Sequence, residues 1–274
     1  MAIAFNKILI PVDFSLNTEI AVKKAAGLVG HDEAMLHLLH VLEPGKQAKH
    51  QFKLWAVEKE LEQLRETIRN TYPTLKVKSH ILKGHSVQRL IVDCAEMLKP
   101  DLIVIGKQNS LRRFPIFRHV ESDAIAKKSN CPVLTVKPGS IENRTKLIVI
   151  PIRDFLPERK LELGVLLAKR YKAQIHLLAL QETPEPKEWA LPQVFLKAYN
   201  HLREHLHHPI EYSASGRNSP AKAALSYAER IMADMILVNP ETESGVAGFT
   251  GWRHISDLVG KNSRIQILDV EPYK

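Results

Sequence analysis

A cluster of basic side chains follows the apolar run 101–105 and the glycine that ends it. The loop holds four of them: Arg112, Arg113, Arg118 and His119. Arginine binds phosphate and carboxylate groups through parallel N–H donors, so the cluster suits an anion. In open α/β sheets, ligands bind beyond the carboxyl ends of the strands. The cluster therefore predicts an anion site; the alternative is a basic surface loop that packs on Phe114 and Phe117.

A second group with chemical potential is His201-Leu-Arg-Glu-His205, which matches the His-x-x-Glu-His pattern of inverted zinc peptidases. Histidines spaced i, i+4 share one helix face, and the glutamate between them could act as a base. However, Leu202 and Leu206 place the pattern on a surface helix, and the sequence downstream shows no identifiable third ligand. We therefore interpret these histidines as a solvated face and expect no metal.

The sequence sets up no convincing nucleophile. Ser15 and the pair Ser122-Asp123 are interpreted as helix caps or turn residues. Cys94 lies in an apolar helix and Cys131 begins a strand, so we expect two buried, free thiols, as in a reducing cytoplasm. No catalytic residue is assigned, and at most weak ATP hydrolysis is expected.

The elements that must position these residues alternate between strand and helix. Apolar runs predict strands in the first half at 7–12, 34–41, 75–82, 101–105 and 132–136. Helices are predicted between them, with apolar side chains that recur at helical spacing. This alternation is typical of a parallel sheet with helices on both faces. The strand at 75–82 alternates apolar and lysine residues, which favours an exposed edge.

The same pattern returns in the second half. Asp234-Met-Ile-Leu-Val-Asn239 repeats the pattern of Asp101-Leu-Ile-Val-Ile-Gly106, and 146–152 repeats the first strand. A polar stretch with glycine and serine separates the two halves. We therefore predict a first domain at 1–138, a linker at 139–145 and a second domain at 146–274.

Five segments together resemble the universal stress protein family in its tandem two-domain form. They are Lys7-Ile-Leu-Ile-Pro-Val-Asp13, His37-Leu-Leu-His-Val41, Gly84, Asp101 to Gly106, and Ser129-Asn-Cys-Pro-Val-Leu-Thr-Val136. The resemblance implies two Rossmann-like domains of the adenine nucleotide alpha hydrolase-like type, each with a five-stranded parallel sheet. It also implies that 132–136 pairs antiparallel with 265–270, which would make an internal pseudo-dimer.

The resemblance also implies a nucleotide site, because many members of that family bind ATP with Mg. It assigns the adenosine end of the pocket to five residues: Pro11, Asp13, Val41, Ile105 and Gly106. In the family, a Gly-x-x-Gly turn and a later Gly-Ser or Gly-Thr pair bind the phosphates. Such glycines let the backbone approach phosphate, and the pair opens a helix whose N–H groups bind it.

The phosphate half of that motif is altered in both halves of the chain. Asn109 occupies the second glycine position, and His119-Val120 replaces the Gly-Ser pair. In the second half Arg153 replaces the aspartate, unless a slip brings Asp154 into place. The four motif positions there hold Asn239, Thr242, Trp252 and Arg253. We therefore expect no cofactor, with Mg-ATP binding by the first domain as the alternative.

Composition and charge limit the kinds of partner and the cellular location that remain to be considered. The 274 residues carry a net charge of +9, but basic and acidic residues are mixed along the chain, so nucleic acid is not the expected partner. No apolar run approaches the roughly 20 residues that span a membrane. The N-terminal residues lack the pattern of a signal peptide, and we expect a cytoplasmic protein with no membrane partner.

The sequence thus predicts a universal stress response protein that senses a ligand or binds a protein partner, not an enzyme. An ATP-binding switch with weak ATPase activity is one alternative, and a basic anion or nucleic-acid binder is another. The partner is not identified by the sequence, and a homodimer of whole chains is left open.

Overall fold

The computed structural model describes residues 5–29, 34–42, 47–107, 120–141, 144–181, 192–207, 209–216, 219–248, 251–260 and 262–273. The basic cluster Arg112, Arg113, Arg118 and His119 lies outside the described residues, and so does Asn109. The chain divides into two compact units, 4–141 and 142–274. This division falls inside the segment 139–145.

The first domain is a five-stranded parallel sheet with the order β3-β2-β1-β4-β5. Its elements are β1 (Lys7–Pro11), α1 (Leu16–Leu28), β2 (Met35–Leu42), α2 (Gln47–Thr71), β3 (Lys76–Lys83), α3 (Val87–Leu98), β4 (Leu102–Gly106), α4 (Ser122–Ser129) and β5 (Val133–Val136). This architecture confirms the α/β fold class. Within this sheet β3 is an edge strand, as its alternating pattern predicted.

The second domain repeats this sheet with the order β8-β7-β6-β9-β12. Its elements are β6 (Leu147–Ile152), α5 (Glu158–Tyr171), β7 (Gln174–Gln181), α6 (Gln193–His205), β8 (Glu211–Gly216), α7 (Pro220–Arg230), β9 (Met235–Val238), β10 (Gly245–Gly248), β11 (Gly251–His254), α8 (Ile255–Leu258) and β12 (Gln266–Asp269). The sequence did not predict the antiparallel hairpin of β10 and β11. The pairing of 132–136 with 265–270 stays a prediction.

Each domain buries its own hydrophobic core on one face of its sheet. In the first domain, Leu9, Ile103 and Val133 pack with Ile91 of α3 and Ile125 of α4. In the second, residues of β6, β9 and β12 pack with α7 and α8. The central strands are buried on both faces, which explains why they are nearly continuous apolar runs.

An aspartate at the start of the fourth strand ties each domain together. Asp101 Oδ2 accepts the backbone N–H groups of Asn6 and Lys7 at 2.9 and 2.8 Å. Asp234 Oδ2 accepts the equivalent N–H groups of Lys146 and Leu147 at 2.7 and 3.0 Å. The repeat seen in the sequence therefore extends to individual hydrogen bonds.

Serine caps position the helices. Ser15 accepts from the Asn17 N–H at the start of α1, and Ser86 accepts from the Arg89 N–H at the start of α3. The assignment of Ser122 as a cap was wrong. Glu121 takes the N-cap position of α4, and Ser122 is the first residue of that helix. Among the described helices, none combines the length and hydropathy needed to cross a membrane.

Candidate functional site

The carboxyl ends of β1, β2 and β4 meet at one edge of the first sheet. Since β1 pairs with both β2 and β4, Pro11, Val41 and the Ile105-Gly106 pair come to this edge together, and Asp13 follows β1 directly. Val41 and Ile105 are buried. The structure therefore brings all five residues of the adenosine end to the place where ligands bind in such sheets.

One oxygen of Asp13 is engaged by its own loop. Asp13 Oδ1 accepts from Ser15 N at 3.1 Å, from Ser15 Oγ at 2.6 Å and from Thr18 Oγ1 at 2.9 Å. Thr18 Oγ1 in turn accepts from the backbone N–H of Asp13 at 3.0 Å. These bonds fix the turn between β1 and α1, so Asp13 has a structural role whether or not a ligand is present.

Phe14 and His40 form a stacked pair beside this turn. Their ring centroids are 4.9 Å apart with an interplanar angle of 24°. His40 Nδ1 lies 2.9 Å from the Val12 carbonyl oxygen and must carry the hydrogen, because that oxygen can only accept. Burial lowers the pKa of His40. Phe14 has a φ of 57°, a backbone region that non-glycine residues rarely adopt.

Gly106 is required for the approach of α1 to the end of β4. A Cβ at this position would lie 2.1 Å from the Asn17 carbonyl oxygen and 2.6 Å from its carbon. Asn17 is buried, and its Oδ1 has no hydrogen-bond partner. The glycine that the resemblance assigned to ligand binding is therefore also demanded by packing within the domain.

The structure places Val120, which stands at the serine position of the family motif, in the core under α4. Its side chain is buried and packs in the cluster that contains Ile125. The next residue, Glu121, donates its backbone N–H to Gln88 Oε1 at 3.0 Å. Val120 thus contributes a hydrophobic contact where a hydroxyl group would be needed to bind phosphate.

In the second domain a buried ion pair occupies the corresponding edge. Lys160 Nζ lies 2.9 and 2.6 Å from the two carboxylate oxygens of Glu243, and it also donates to the Pro151 carbonyl at 2.6 Å. Glu243 Oε2 accepts the Asn239 backbone N–H at 2.9 Å. The side chains are 0% and 2% exposed. The pair therefore bridges α5, the end of β6 and the loop after β9.

Burial dominates the electrostatics of this pair. It lowers the pKa of Lys160 and raises the pKa of Glu243, and the opposite charge of each partner acts against that shift. A lone charge at this depth would be strongly disfavoured, so each residue requires the other. Lys160 lies in the first turn of α5 and reaches the end of β6 through the Pro151 carbonyl.

Arg153 and Asp154 do not restore the missing aspartate. They form an ion pair with each other at 3.0 Å, and the Asp154 side chain is 66% exposed. Asp154 therefore does not take the position that Asp13 holds in the first domain. Asn239 does end the fourth strand of the second domain as predicted, and its side-chain amide donates to the Val270 carbonyl at 3.1 Å.

A serine, a histidine and an aspartate form a buried chain in the second domain. His254 Nδ1 lies 2.7 Å from Ser256 Oγ, and His254 Nε2 lies 2.8 Å from Asp269 Oδ1. The Ser256 N–H also donates to Nδ1, so the hydrogen on the ring belongs to Nε2. Ser256 and Asp269 are 0% exposed. The chain therefore braces β11 and α8 against β12, with no accessible nucleophile.

The paired histidines of α6 behave as a surface feature. His201 and His205 stack with centroids 4.6 Å apart, and His205 Nδ1 donates to the His201 carbonyl at 2.8 Å. Within the described ranges, no group of three or more His, Cys, Asp or Glu side chains is arranged to hold a metal ion. Cys94 and Cys131 are both buried, as expected, and they are not joined in a disulfide. The Cys131 thiol donates to the Pro100 carbonyl at 3.2 Å.

Sequence reasoning missed the Lys160–Glu243 pair and the His254 chain. The partners of the ion pair lie 83 residues apart, and the charges taken singly look like surface residues. The one usable signal was that Lys160 falls among apolar residues on the buried stripe of α5.

Comparison with known proteins agrees with this fold. The model of the universal stress protein family matches residues 4–137. A search of curated protein sequences gave no significant match. The first domain, which this match covers, belongs to the universal stress protein family. The second domain repeats the same sheet order.

Three solved structures resemble the chain over nearly its whole length. A universal stress protein from Archaeoglobus fulgidus DSM 4304 is 16% identical with a TM-score of 0.64, covering 97% of this chain and 96% of that chain. A putative universal stress protein from Pseudomonas aeruginosa UCBPP-PA14 is 16% identical with a TM-score of 0.58, covering 98% and 94%. The cytoplasmic domain of a prokaryotic cation chloride cotransporter is 13% identical with a TM-score of 0.56, covering 97% and 96%. At these identities the likeness shows the fold alone.

Proposed function

We propose that the protein is a cytoplasmic stress-response factor that works by binding a protein partner, without family-type ATP binding and without substantial enzymatic turnover. The observation that carries the proposal is the Lys160–Glu243 pair. It fills, with a buried and satisfied contact, the strand edge at which a ligand would enter the second domain. A domain closed in this way is suited to a structural or docking role.

The first domain also supports the proposal that family-type ATP binding is absent, although its evidence is weaker. Val120 packs in the core where the family motif has a hydroxyl residue. Gly106 and Asp13 have roles within the fold, against Asn17 and in the turn before α1. The cotransporter structure shows that a fold of this length can serve as the cytoplasmic domain of a larger protein. That analogy is at the level of fold only.

A second candidate is an ATP-binding switch with weak ATPase activity in the first domain. It is favoured by one observation: the five residues of the adenosine end meet at a single strand edge. Adenosine contacts made there, with phosphate contacts supplied by another group, would permit binding despite the altered motif. The two candidates differ in whether Mg-ATP stabilises the folded protein.

Thermal unfolding with and without millimolar Mg-ATP separates them. A ligand at 100 times its dissociation constant adds about 2.7 kcal/mol to the stability of the domain that binds it. We expect no increase in Tm for either domain. An increase that is lost in Asp13→Ala but kept in the exposed control Asp154→Ala would overturn the proposal in favour of the switch.

A further inference from the structure

The second strand of each domain carries a buried histidine at the same position. The sheet register pairs His37 with Leu9 in the first domain and His176 with Val149 in the second. Each of these partners lies two residues before the proline of its own strand, Pro11 or Pro151. The two histidines are therefore equivalent, but their surroundings differ.

In the first domain the partner is another histidine. His37 Nδ1 lies 2.8 Å from His80 Nε2, and the rings stack with centroids 5.1 Å apart at 20°. A hydrogen bond between two imidazole nitrogens needs exactly one hydrogen, so one of the two nitrogens must be unprotonated. When both rings are protonated, the bond is lost and two positive charges face each other at contact distance.

The charged groups around this pair are cationic. Lys7 of β1 and Lys78 of β3 act on the His37 ring, and Lys78 acts on the His80 ring. Burial, then the His80 ring and the two lysines, lower the pKa of His37 to about 4. Burial and Lys78 lower the pKa of His80. No carboxylate of the described residues is among the charges that shift the pKa of either ring.

The neighbouring charged groups Lys7 and Asp101 make hydrogen bonds with the backbone. The ammonium of Lys7 donates to the Leu98 carbonyl at the end of α3 at 2.9 Å. The Asp101 carboxylate accepts from the backbone of Asn6 and Lys7. His37 Nε2 is buried and has no hydrogen-bond partner. A proton taken up by the pair therefore has no group nearby to stabilise it.

The second domain provides the contrast. His176 Nδ1 lies 3.2 Å from the Tyr227 hydroxyl, and its Nε2 lies 3.5 Å from a carboxylate oxygen of Glu211. Burial lowers the pKa of His176, and the charge of Glu211 opposes that shift. When His176 is protonated, it forms an ion pair with Glu211. When both His37 and His80 are protonated, they repel each other.

His37 lies on β2 and His80 lies on β3, the edge strand of the first sheet. Within the described part of this sheet, β3 pairs with β2, along the register from Met35–Lys76 to Leu42–Lys83. We propose that the contact between His37 and His80 is an acid-sensitive latch, which holds β3 on β2 at neutral pH and releases it on acidification. Release exposes the backbone N–H and C=O groups of β2 that pair with β3 in the latched state. The latch adds a signal, the proton, to the partner-binding role proposed above and depends on that role only for its biological purpose.

Hydrogen exchange measured by mass spectrometry tests the latch without any nucleotide. If the released state has an ordinary histidine pKa of 6.5 and the latched His37 has a pKa of about 4, opening is favoured about 20-fold at about pH 5 relative to neutral pH. After correction for the intrinsic pH dependence of exchange, the peptide spanning β3 should show this increase. The peptide spanning β8, the edge strand of the second domain, should show a smaller increase, because the charge of Glu211 opposes the shift of the His176 pKa.

Two variants identify the group responsible. His80→Gln keeps an amide that can donate to His37 and removes the second charge. It should therefore reduce the pH dependence at β3 to the part that comes from burial of His37 and from the two lysines. The exposed His85→Gln is the matched control and should keep the wild-type behaviour. Equal acid-induced opening of β3 and β8, or an unchanged response in His80→Gln, overturns the latch.

The imidazole signals of the wild-type protein provide a test that needs no variant. In a pH titration followed by NMR, the His37 and His80 signals should change below pH 6.5 and together with the β3 amides. A titration of His37 at or above the ordinary histidine pKa of 6.5 would contradict the proposal.

Discussion

The ammonium of Lys160 and the carboxylate of Glu243 lie 2.6 Å apart in the second domain, both buried, where β6 and the loop after β9 come together. At the corresponding edge of the first domain, Thr18 Oγ1 donates to Asp13 Oδ1 in the turn between β1 and α1. The same edge of the sheet is thus held by a buried ion pair in one domain and by hydroxyl–carboxylate hydrogen bonds in the other.

The ion pair predicts strong coupling between its two residues. Lys160→Met or Glu243→Leu alone should each lower the free energy of unfolding of the second domain by about 3–5 kcal/mol, because each leaves an uncompensated buried charge. The double variant should lose clearly less than the sum of the two. Urea unfolding of the four proteins measures this, and additive losses would show that the residues act independently.

The close packing at Gly106 predicts that adding one methyl group there lowers the stability of the first domain strongly. A Cβ there would lie 2.1 Å from a backbone oxygen, so Gly106→Ala should destabilise the first domain by at least about 2 kcal/mol. Gly260→Ala is the matched control, because a Cβ at Gly260 has no heavy atom within 4 Å. Chemical denaturation should separate the two variants. An equal effect would mean that α1 can move away from β4 at little cost.

Acid should weaken the first domain through His37. Its pKa is lowered from 6.5 to about 4 in the folded state, so the unfolded state binds more protons between these values. The contribution of His37 to the free energy of unfolding is therefore complete above about pH 6.5. It declines as the pH falls and is lost below about pH 4, and the total loss is at most about 3 kcal/mol.

The measurement is urea unfolding across this pH range, with His37→Leu as the comparison. Carboxylates titrate in the same range in both proteins, so the difference between their profiles isolates His37. The profiles should converge as the pH falls from 6.5 to about 4. A constant difference between them would contradict this assignment.

Cys94 should be inert in the folded protein. Burial raises the pKa of its thiol to about 11, and thiolate is the reactive form. At about pH 8 only about 0.1% of such a thiol is ionised. An aromatic disulfide reagent should therefore modify Cys94 slowly in native buffer and rapidly in denaturant. Equally fast reaction in both would show that α3 opens readily.

The sequence was sufficient for the parts of the fold that rest on continuous patterns. The apolar runs before Gly106 and Asn239 marked the fourth strands, because a strand buried on both faces has little room for polar residues. Helix α1 starts at Leu16, whereas its buried apolar residues begin only at Ile20. The Ser15 cap already begins the helix there, so the apolar periodicity lags behind the true boundary.

The parts that were missed depend on contacts between distant residues. In the short β10–β11 hairpin, β10 begins and ends at a glycine and β11 begins at one, and no clear alternation of apolar and polar residues marks either strand. The role of Gly106 against Asn17 and the pairing of Lys160 with Glu243 are fixed only when the chain folds. For the same reason, the sequence could name the residues of the adenosine end but not the bonds that Asp13 makes within its own turn.

The most direct test of the central claim is a titration of the isotope-labelled protein with millimolar Mg-ATP, followed by the backbone amide signals of both domains. We expect the signals of Asp13 and Gly106 in the first domain, and of Asn239 and Glu243 in the second, to stay unchanged. Saturable shifts at Asp13 and Gly106 would contradict the account and establish the first domain as a nucleotide site. Saturable shifts at Asn239 and Glu243 would show that the ion pair opens to admit a ligand.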